Sequence, residues 1–317
     1  MNEPDPMLLD ALAALADEGN FERAAQRLSV TQSAVSQRLR NLESQVGRPL
    51  VVRSRPLRLT EPGKHLLRFA RQMQALRADM ARELGVTPGG AAEPDSRLPP
   101  VRIAVNADSL ATWVLPALDG LVQSGVSIEL VVDDQDFTHD WLREGAVLGC
   151  VSTVREALRG CRVVPLGVMP YIAVASPAFT ARWLPRGLRA DNFTQVPFVV
   201  FNRKDDMQQQ WVSAAFGPRQ PRLRERYVPS SEAYVRAVAM GWGIGVVPEL
   251  QVRPLLARGE LLPLRPGTAV PVALHWHEWR MAADGEAAHD PAASRGTLAR
   301  IGAALVDGAR GALVGGA

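Results

Sequence analysis

The sequence predicts an α/β multidomain protein: an N-terminal winged helix-turn-helix, a linker helix and a two-lobed α/β domain. Three observations carry this. Two short amphipathic helical patterns flank a tight turn between Phe21 and Glu43. Apolar residues then recur every three or four positions from Leu66 to Met80. From Val101 onward, strand-like runs alternate with helical ones.

At 317 residues, the chain is long enough for two or three folded units. Expected boundaries are 1–63 for the winged head, 64–84 for the linker helix, 85–100 for a flexible linker and 101–310 for the two lobes. Lobe I takes about 101–168 and 270–310, and lobe II about 169–269. The Gly- and Pro-rich stretch Pro88-Gly89-Gly90 to Pro99-Pro100 marks the flexible linker. No apolar run reaches membrane-spanning length, and the acidic start Asn2-Glu3-Pro4-Asp5 lacks the basic region of a signal peptide. Cys150 and Cys161 are the two cysteines, too few for a disulfide framework, so a cytoplasmic location is expected.

The head begins with a helix from Met7 to Ala16, striped by Leu8, Leu12 and Leu15 and ended by Gly19. Asn20 is positioned to cap the next helix, whose apolar face is Phe21, Ala24, Ala25 and Leu28. Ser29-Val30 turns the chain, and Thr31 caps the following helix with Val35, Leu39, Leu42 and Val46 inward. Gln32, Ser33, Ser36, Gln37 and Arg40 then face outward. These side chains carry donors and acceptors and no carboxylate; Gln pairs bidentately with adenine, Arg with guanine, and Ser with either base or with phosphate. An ordinary helical hairpin with a polar face is the competing reading of this stretch. Leu50 to Thr60 follows as two short strands around a basic turn, a wing with Arg53, Arg55 and Arg58. Arg23, Arg27, Arg38, Arg40 and Arg48 add to this local positive charge, while the whole chain carries only +3.

Thr60 is expected to cap a long helix with Pro62 in its first turn. Leu66, Phe69, Met73, Leu76 and Met80 form its seam, read as a dimer contact in preference to packing on its own domain.

In the α/β part, strands are expected at 101–105, 128–132, 147–151, 163–166, 171–175, 198–201 and 244–248, largely parallel, with a hinge between the fourth and fifth. Ligands of such sheets gather at the carboxyl ends of strands. Polar residues stand there: Asp108 and Ser109, Asp133 and Asp134, Ser152 and Thr153, Asn202, Asp205 and Asp206, Ser231 and Glu232. Helix starts at Ser109 and Ser231 suit a carboxylate, and the acidic residues suit a cation. The pattern fits a basic amino acid, although each residue taken alone reads equally as a cap or turn residue.

Two motifs are set aside. Gly241-Trp242-Gly243-Ile244-Gly245 follows a helix and precedes a strand, the reverse of a dinucleotide fingerprint. His275-Trp276-His277-Glu278 lacks a third metal ligand at clear spacing and is read as strand packing. No nucleophile elbow, phosphate loop or zinc-protease motif occurs, so neither an enzyme nor a cofactor or metal is expected.

The stretch from Phe21 to Glu43, with Gly47 to Arg53 and Leu59 to Gly63, resembles the winged helix-turn-helix of LysR-type transcriptional regulators. Ile103 to Leu118, Asp205-Asp206-Met207 and Ser230 to Ala233 resemble the effector domain of the ArgP/LysG branch of that family. The resemblance implies base contacts from Gln32, Ser33, Ser36 and Gln37 with Arg53 on the wing. It also implies dimers, or dimers of dimers, joined through the linker helix, and an effector domain like that of periplasmic binding proteins. Partners would be double-stranded operator DNA, lysine or arginine as effector, and RNA polymerase. The target would be a basic amino-acid exporter gene. Competing readings are a different small effector, or a soluble binding protein or enzyme without specific DNA binding. Neither the segment 281–295 nor the Gly/Ala-rich tail receives a role from this resemblance.

Overall fold

The head folds because its capping residues sit where the helices must begin. In the computed structural model, which describes residues 4–54, 57–84, 99–133, 138–217, 222–281 and 296–315, Pro6–Glu18 forms α1. Gly19 closes it at φ 67°, the left-handed conformation that glycine adopts without a Cβ penalty. Asn20 Oδ1 accepts from Arg23 N at 2.8 Å and starts α2, Phe21–Arg27. Ser29 takes a left-handed φ of 53° in the turn. Thr31 Oγ1 accepts from Ala34 N and starts α3, Gln32–Val46. Leu8, Leu12, Leu15, Ala24, Val35, Leu39 and Leu42 are buried together as the head's core, with Leu50 beneath the wing. The wing pairs β1, Val51–Val52, with β2, Arg58–Leu59, antiparallel in the register Val51↔Leu59.

Thr60 Oγ1 accepts from Gly63 N to start α4, Glu61–Glu83. Leu67, Ala70, Arg71, Ala75 and Ala78 are buried along one side of it. Lys64 pairs with Glu144 at 3.1 Å, the Arg68 guanidinium lies 4.3 Å over Trp279, and the Asp79 carboxylate accepts from Thr297 N at 3.2 Å. The helix is thus laid along other parts of its own unit. Phe69 and Met80, by contrast, keep 38% and 57% of their surface exposed.

The α/β part begins with β3, Val101–Asn106, which runs directly into a helix made of α5, Ala107–Ser109, a π-helical stretch Leu110–Val114, and α6, Leu115–Gln123. It continues through β4 (Ile128–Asp133), α7 (Thr138–Arg143), β5 (Gly149–Ser152) and β6 (Cys161–Ala175). Then follow α8 (Pro177–Trp183), β7 (Pro197–Val200), α9 (Met207–Phe216), β8 (Arg224–Tyr227) and α10 (Ser231–Ala239). The remainder is β9 (Gly245–Pro248), α11 (Glu249–Ala257), β10 (Leu262–Pro263), β11 (Ala269–Trp279) and α12 (Thr297–Ala312).

The main sheet has strand order β10-β6-β11-β5-β3-β4, with β9 also paired to β6. β3 and β5 are parallel, but β9 and β10 both run antiparallel to β6. The sheet is mixed, which corrects the expectation of largely parallel strands. The fourth and fifth expected strands are one: β6 continues through Pro165 and Pro170, with Gly167 absorbing the irregularity at φ 127°, and the boundary between the two units falls within it, between Val163 and Val164.

The chain divides into two packed units. The first comprises 1–105, 120–163 and 276–304, and the second 106–119, 164–275 and 305–317. The winged head and α4 thus share a unit with β4, α7 and β5. Val174, Val199, Tyr234, Val235, Val238, Val247, Val252 and Leu261 form a core in the second unit. Leu298, Ile301, Leu305, Ala309 and Leu313 make a buried stripe along the Gly/Ala-rich C-terminal helix and the residue after it, so this tail is part of the fold. Among the described residues, no helix is long and apolar enough to cross a membrane.

Candidate functional site

The outer face of α3 carries Gln32, Ser33, Gln37 and Arg40 exposed and Ser36 half-buried, as the helical spacing requires when Val35, Leu39 and Leu42 face inward. These side chains hold one another in place. Arg40 donates to Ser36 Oγ at 3.0 Å and to Gln37 Oε1 at 2.7 Å, and Gln37 Nε2 donates to Asn41 Oδ1 at 2.8 Å. Thr31 and Ser33 hydroxyls are 2.9 Å apart. A fence of this kind presents amide and guanidinium edges of the sort that read bases in a major groove. On the wing, the Arg53 guanidinium sits 5.5 Å from the Phe21 ring, and Arg55 lies outside the described residues. Two arginines counted in the basic face are engaged elsewhere: Arg23 pairs with Glu18 at 2.9 Å and Arg27 with Asp17 at 2.7 Å. The acidic end of α1 lies just upstream of the basic run, so the run alone overstates the charge offered to DNA.

In the second unit, the helix after β3 opens on a group of polar side chains. Asp108 Oδ2 accepts from the Tyr171 hydroxyl at 2.6 Å, and Oδ1 accepts from Ser231 Oγ at 2.6 Å. Gln251 Nε2 donates to Ser231 Oγ at 3.1 Å. One residue on, Ser109 is fully buried, and its Oγ and the buried Asn106 Oδ1 make no hydrogen bond among the described residues. Buried polar atoms are rarely left so, and such a pair at a helix start fits a bound polar ligand or water. The π-helical stretch follows directly, a distortion that recurs at functional sites. Asp108, Ser109 and Ser231 were expected to contribute here, and the structure brings Asp108 and Ser231 into direct contact. Tyr171 and Gln251 were not expected, because no local signal marks a strand tyrosine or a helix glutamine as a partner for a distant carboxylate.

Asp205 and Asp206 have local partners. Asp205 accepts from Phe201 N at 2.9 Å, Met207 N at 3.0 Å and Gln208 Nε2 at 3.2 Å, which closes the loop before α9. Asp206 accepts from Gln210 Nε2, and Asn202 from Lys204 N, both at 2.7 Å. Glu232 is exposed in the first turn of α10, which Ser230 caps. Ser152 and Thr153 belong to the first unit, where Ser152 Oγ accepts from Val154 N at 3.1 Å. Asp133 ends β4, whereas its side chain and Asp134 lie outside the described residues, as do residues 282–295.

The motif around His277 is structural. His277 Nε2 is 2.8 Å from the Val154 carbonyl, and Glu278 accepts from Trp276 Nε1 at 2.7 Å and Arg162 Nε at 2.8 Å. Among the described residues, no group of three His, Cys, Asp or Glu side chains is arranged to hold a metal. Both thiols are buried, and burial pushes Cys161 up to about 12 and Cys150 further still.

Residues 7–64 match the family described as "Bacterial regulatory helix-turn-helix protein, lysR family", and residues 95–294 match the "LysR substrate binding domain". The chain belongs to the LysR family. As a LysR-type protein it is a DNA-binding transcriptional regulator and not an enzyme. It is 44% identical to the HTH-type transcriptional regulator ArgP of Aeromonas salmonicida over 88% of this chain and 92% of that one. Its fold is similar to the crystal structure of ArgP from Mycobacterium tuberculosis, with a TM-score of 0.78 and 37% identity over 99% of each chain. It is also similar to full-length LysG of Corynebacterium glutamicum with bound effector Arg, with a TM-score of 0.70 and 34% identity over 98% of this chain and 99% of that one. Within the LysR family, the similarity thus lies with ArgP and LysG.

Proposed function

We propose that this LysR-type regulator responds to lysine, arginine or both, and that it controls a basic amino-acid exporter gene from the cytoplasm. The observation that carries the effector reading is the Asp108 carboxylate, steadied by Tyr171 and Ser231 next in the chain to the buried Ser109 hydroxyl, which has no partner among the described residues. The helix start at Asn106 and Ser109 suits the α-carboxylate of an amino acid. Asp108 suits its ammonium group; Asp133 and Asp134, read from the sequence as partners for a cationic tail, belong to the other unit, with the Asp133 side chain and Asp134 outside the described residues. The similarity to LysG, whose solved structure holds arginine as effector, supports the same ligand class. Ser152, Thr153, Asn202, Asp205, Asp206 and Glu232 have weaker support, since most of them already have loop or cap partners.

In this reading Gln32, Ser33, Ser36, Gln37 and Arg40 read bases, and Arg53 and Arg55 meet phosphates. Two copies join through Leu66, Phe69, Met73, Leu76 and Met80, and dimers pair again into tetramers. RNA polymerase is the downstream partner.

Fluorescence anisotropy with the DNA upstream of the protein's own gene tests this. Tight, salt-dependent binding that exceeds binding to scrambled DNA, and that changes with arginine or lysine, is expected. Equal affinity for both DNAs would count against the regulator's assigned operator, and indifference to both amino acids against the effector.

A further inference from the structure

Within the first unit, one carboxylate collects three guanidiniums from three elements. Asp17, near the end of α1, accepts at Oδ2 from Arg27 at 2.7 Å. Its Oδ1 accepts from Arg102 Nη1 at 2.5 Å and from Arg71 Nη2. Arg27 ends α2, the first helix of the helix-turn-helix; Arg71 lies on α4; Arg102 lies on β3. Arg102 also pairs with Glu129 on β4 at 2.9 Å. The Asp17 and Arg71 side chains are only 8% and 7% exposed. Desolvation lowers the Arg71 pKa, and Asp17 is the main influence opposing that.

Folding of the parts does not call for this cluster. The head closes over its own leucines and valines, and β3 is held by backbone pairing to β5. A buried charge cluster is a weak source of stability compared with an apolar contact of the same size. It has one property that an apolar contact lacks: when it opens, charged groups return to water and no apolar surface is exposed. It is also specific, because removing one member leaves the others uncompensated.

We infer that the Asp17 cluster is a separable latch that couples the effector site to the DNA-reading head. Arg102 stands four residues before Asn106 and six before Asp108, on the strand that leads into the effector-site helix. A shift of that helix start on ligand binding loads Arg102 through β3, and Asp17 passes the change to α1, α2 and α4. The inference rests on the effector reading proposed above, and the test separates the two.

Three full-length proteins are compared: wild type, Arg102→Met and Asp17→Asn. Arg102→Met keeps the length of the stem and leaves Asp17 its bonds to Arg27 and Arg71, so it folds even if the harsher Asp17→Asn does not. Operator affinity is measured with and without saturating arginine, and arginine affinity with and without operator. Linkage makes the two ratios equal in the wild type. In Arg102→Met, both ratios should fall toward one by about threefold or more, because coupling factors of this kind span roughly 5- to 150-fold. The separate affinities for arginine and for DNA should stay within about twofold, since neither surface is touched. Hydrogen exchange should quicken in the end of α1, in α2 and in β3, while α3 is unchanged. Faster exchange with unchanged ratios would overturn the transmission, and unchanged exchange would overturn the latch. If wild type ignores arginine while exchange quickens in the variant, the effector reading fails and the latch stands.

Discussion

Asp108→Asn removes the charge at the centre of the proposed effector cluster and keeps its shape. In the wild type, each carboxylate oxygen receives one hydroxyl at 2.6 Å, from Tyr171 and from Ser231. Those bonds fix the orientation of the carboxylate that, in the proposed reading, meets the ligand ammonium. A hydrogen bond to a charged group contributes ~1.5–3 kcal/mol, so affinity for lysine or arginine should fall roughly 10- to 150-fold. Tyr171→Phe is the control. It removes one neutral donor and keeps the anion, and should cost ~0.5–1.5 kcal/mol, at most about tenfold. Calorimetric titration of the wild type and both variants, after thermal melts confirm folding, gives the ranking. If Asp108→Asn binds as wild type does, or if Tyr171→Phe is equally damaged, the carboxylate is an internal tie and not a ligand group.

Three further outcomes follow from the head and α4. Gln32→Ala should lower operator affinity by ~1–3 kcal/mol while leaving random-sequence DNA binding nearly intact, and equal losses on both would remove Gln32 from the base-reading set. Met73→Glu should put like charges opposite each other in the proposed seam and shift sedimentation to smaller species, whereas a mutant of unchanged size would assign Met73 to intrachain packing. Gly63→Ala should destabilise the head by ~1–3 kcal/mol in chemical denaturation, because the added Cβ would lie 2.1 Å from the Leu50 carbonyl oxygen; wild-type stability would mean that the start of α4 shifts freely.

The head was legible almost residue by residue, because its signals are local. Asn20, Thr31 and Thr60 cap the helices that their positions mark, and Gly19 ends the first one. The course of β6 was not legible: two strands on either side of a hinge were expected, yet one strand runs through both, paired with its neighbours. The π-helical stretch has no composition signal, since Leu110 to Val114 reads as an ordinary helix. At the proposed effector site, Asp108 and Ser231 stand at helix starts that the pattern reveals. Their partners Tyr171 and Gln251 come from distant elements, and only the folded chain brings them there. Asp205 shows what spacing cannot reveal, for its carboxylate also closes the loop before α9. The Asp17 cluster joins residues 27, 71 and 102, a convergence that no spacing encodes.

The most direct test of the account is calorimetry of the wild-type protein with paired ligands: lysine against norleucine, and arginine against citrulline. Each pair keeps the amino-acid end and nearly the same length, and differs in the charge of the tail. If the effector is a basic amino acid held by carboxylates, lysine or arginine should bind about tenfold or more tightly than its neutral counterpart. Equal affinity within both pairs would contradict it, and so would binding of a neutral or aromatic acid where neither lysine nor arginine binds.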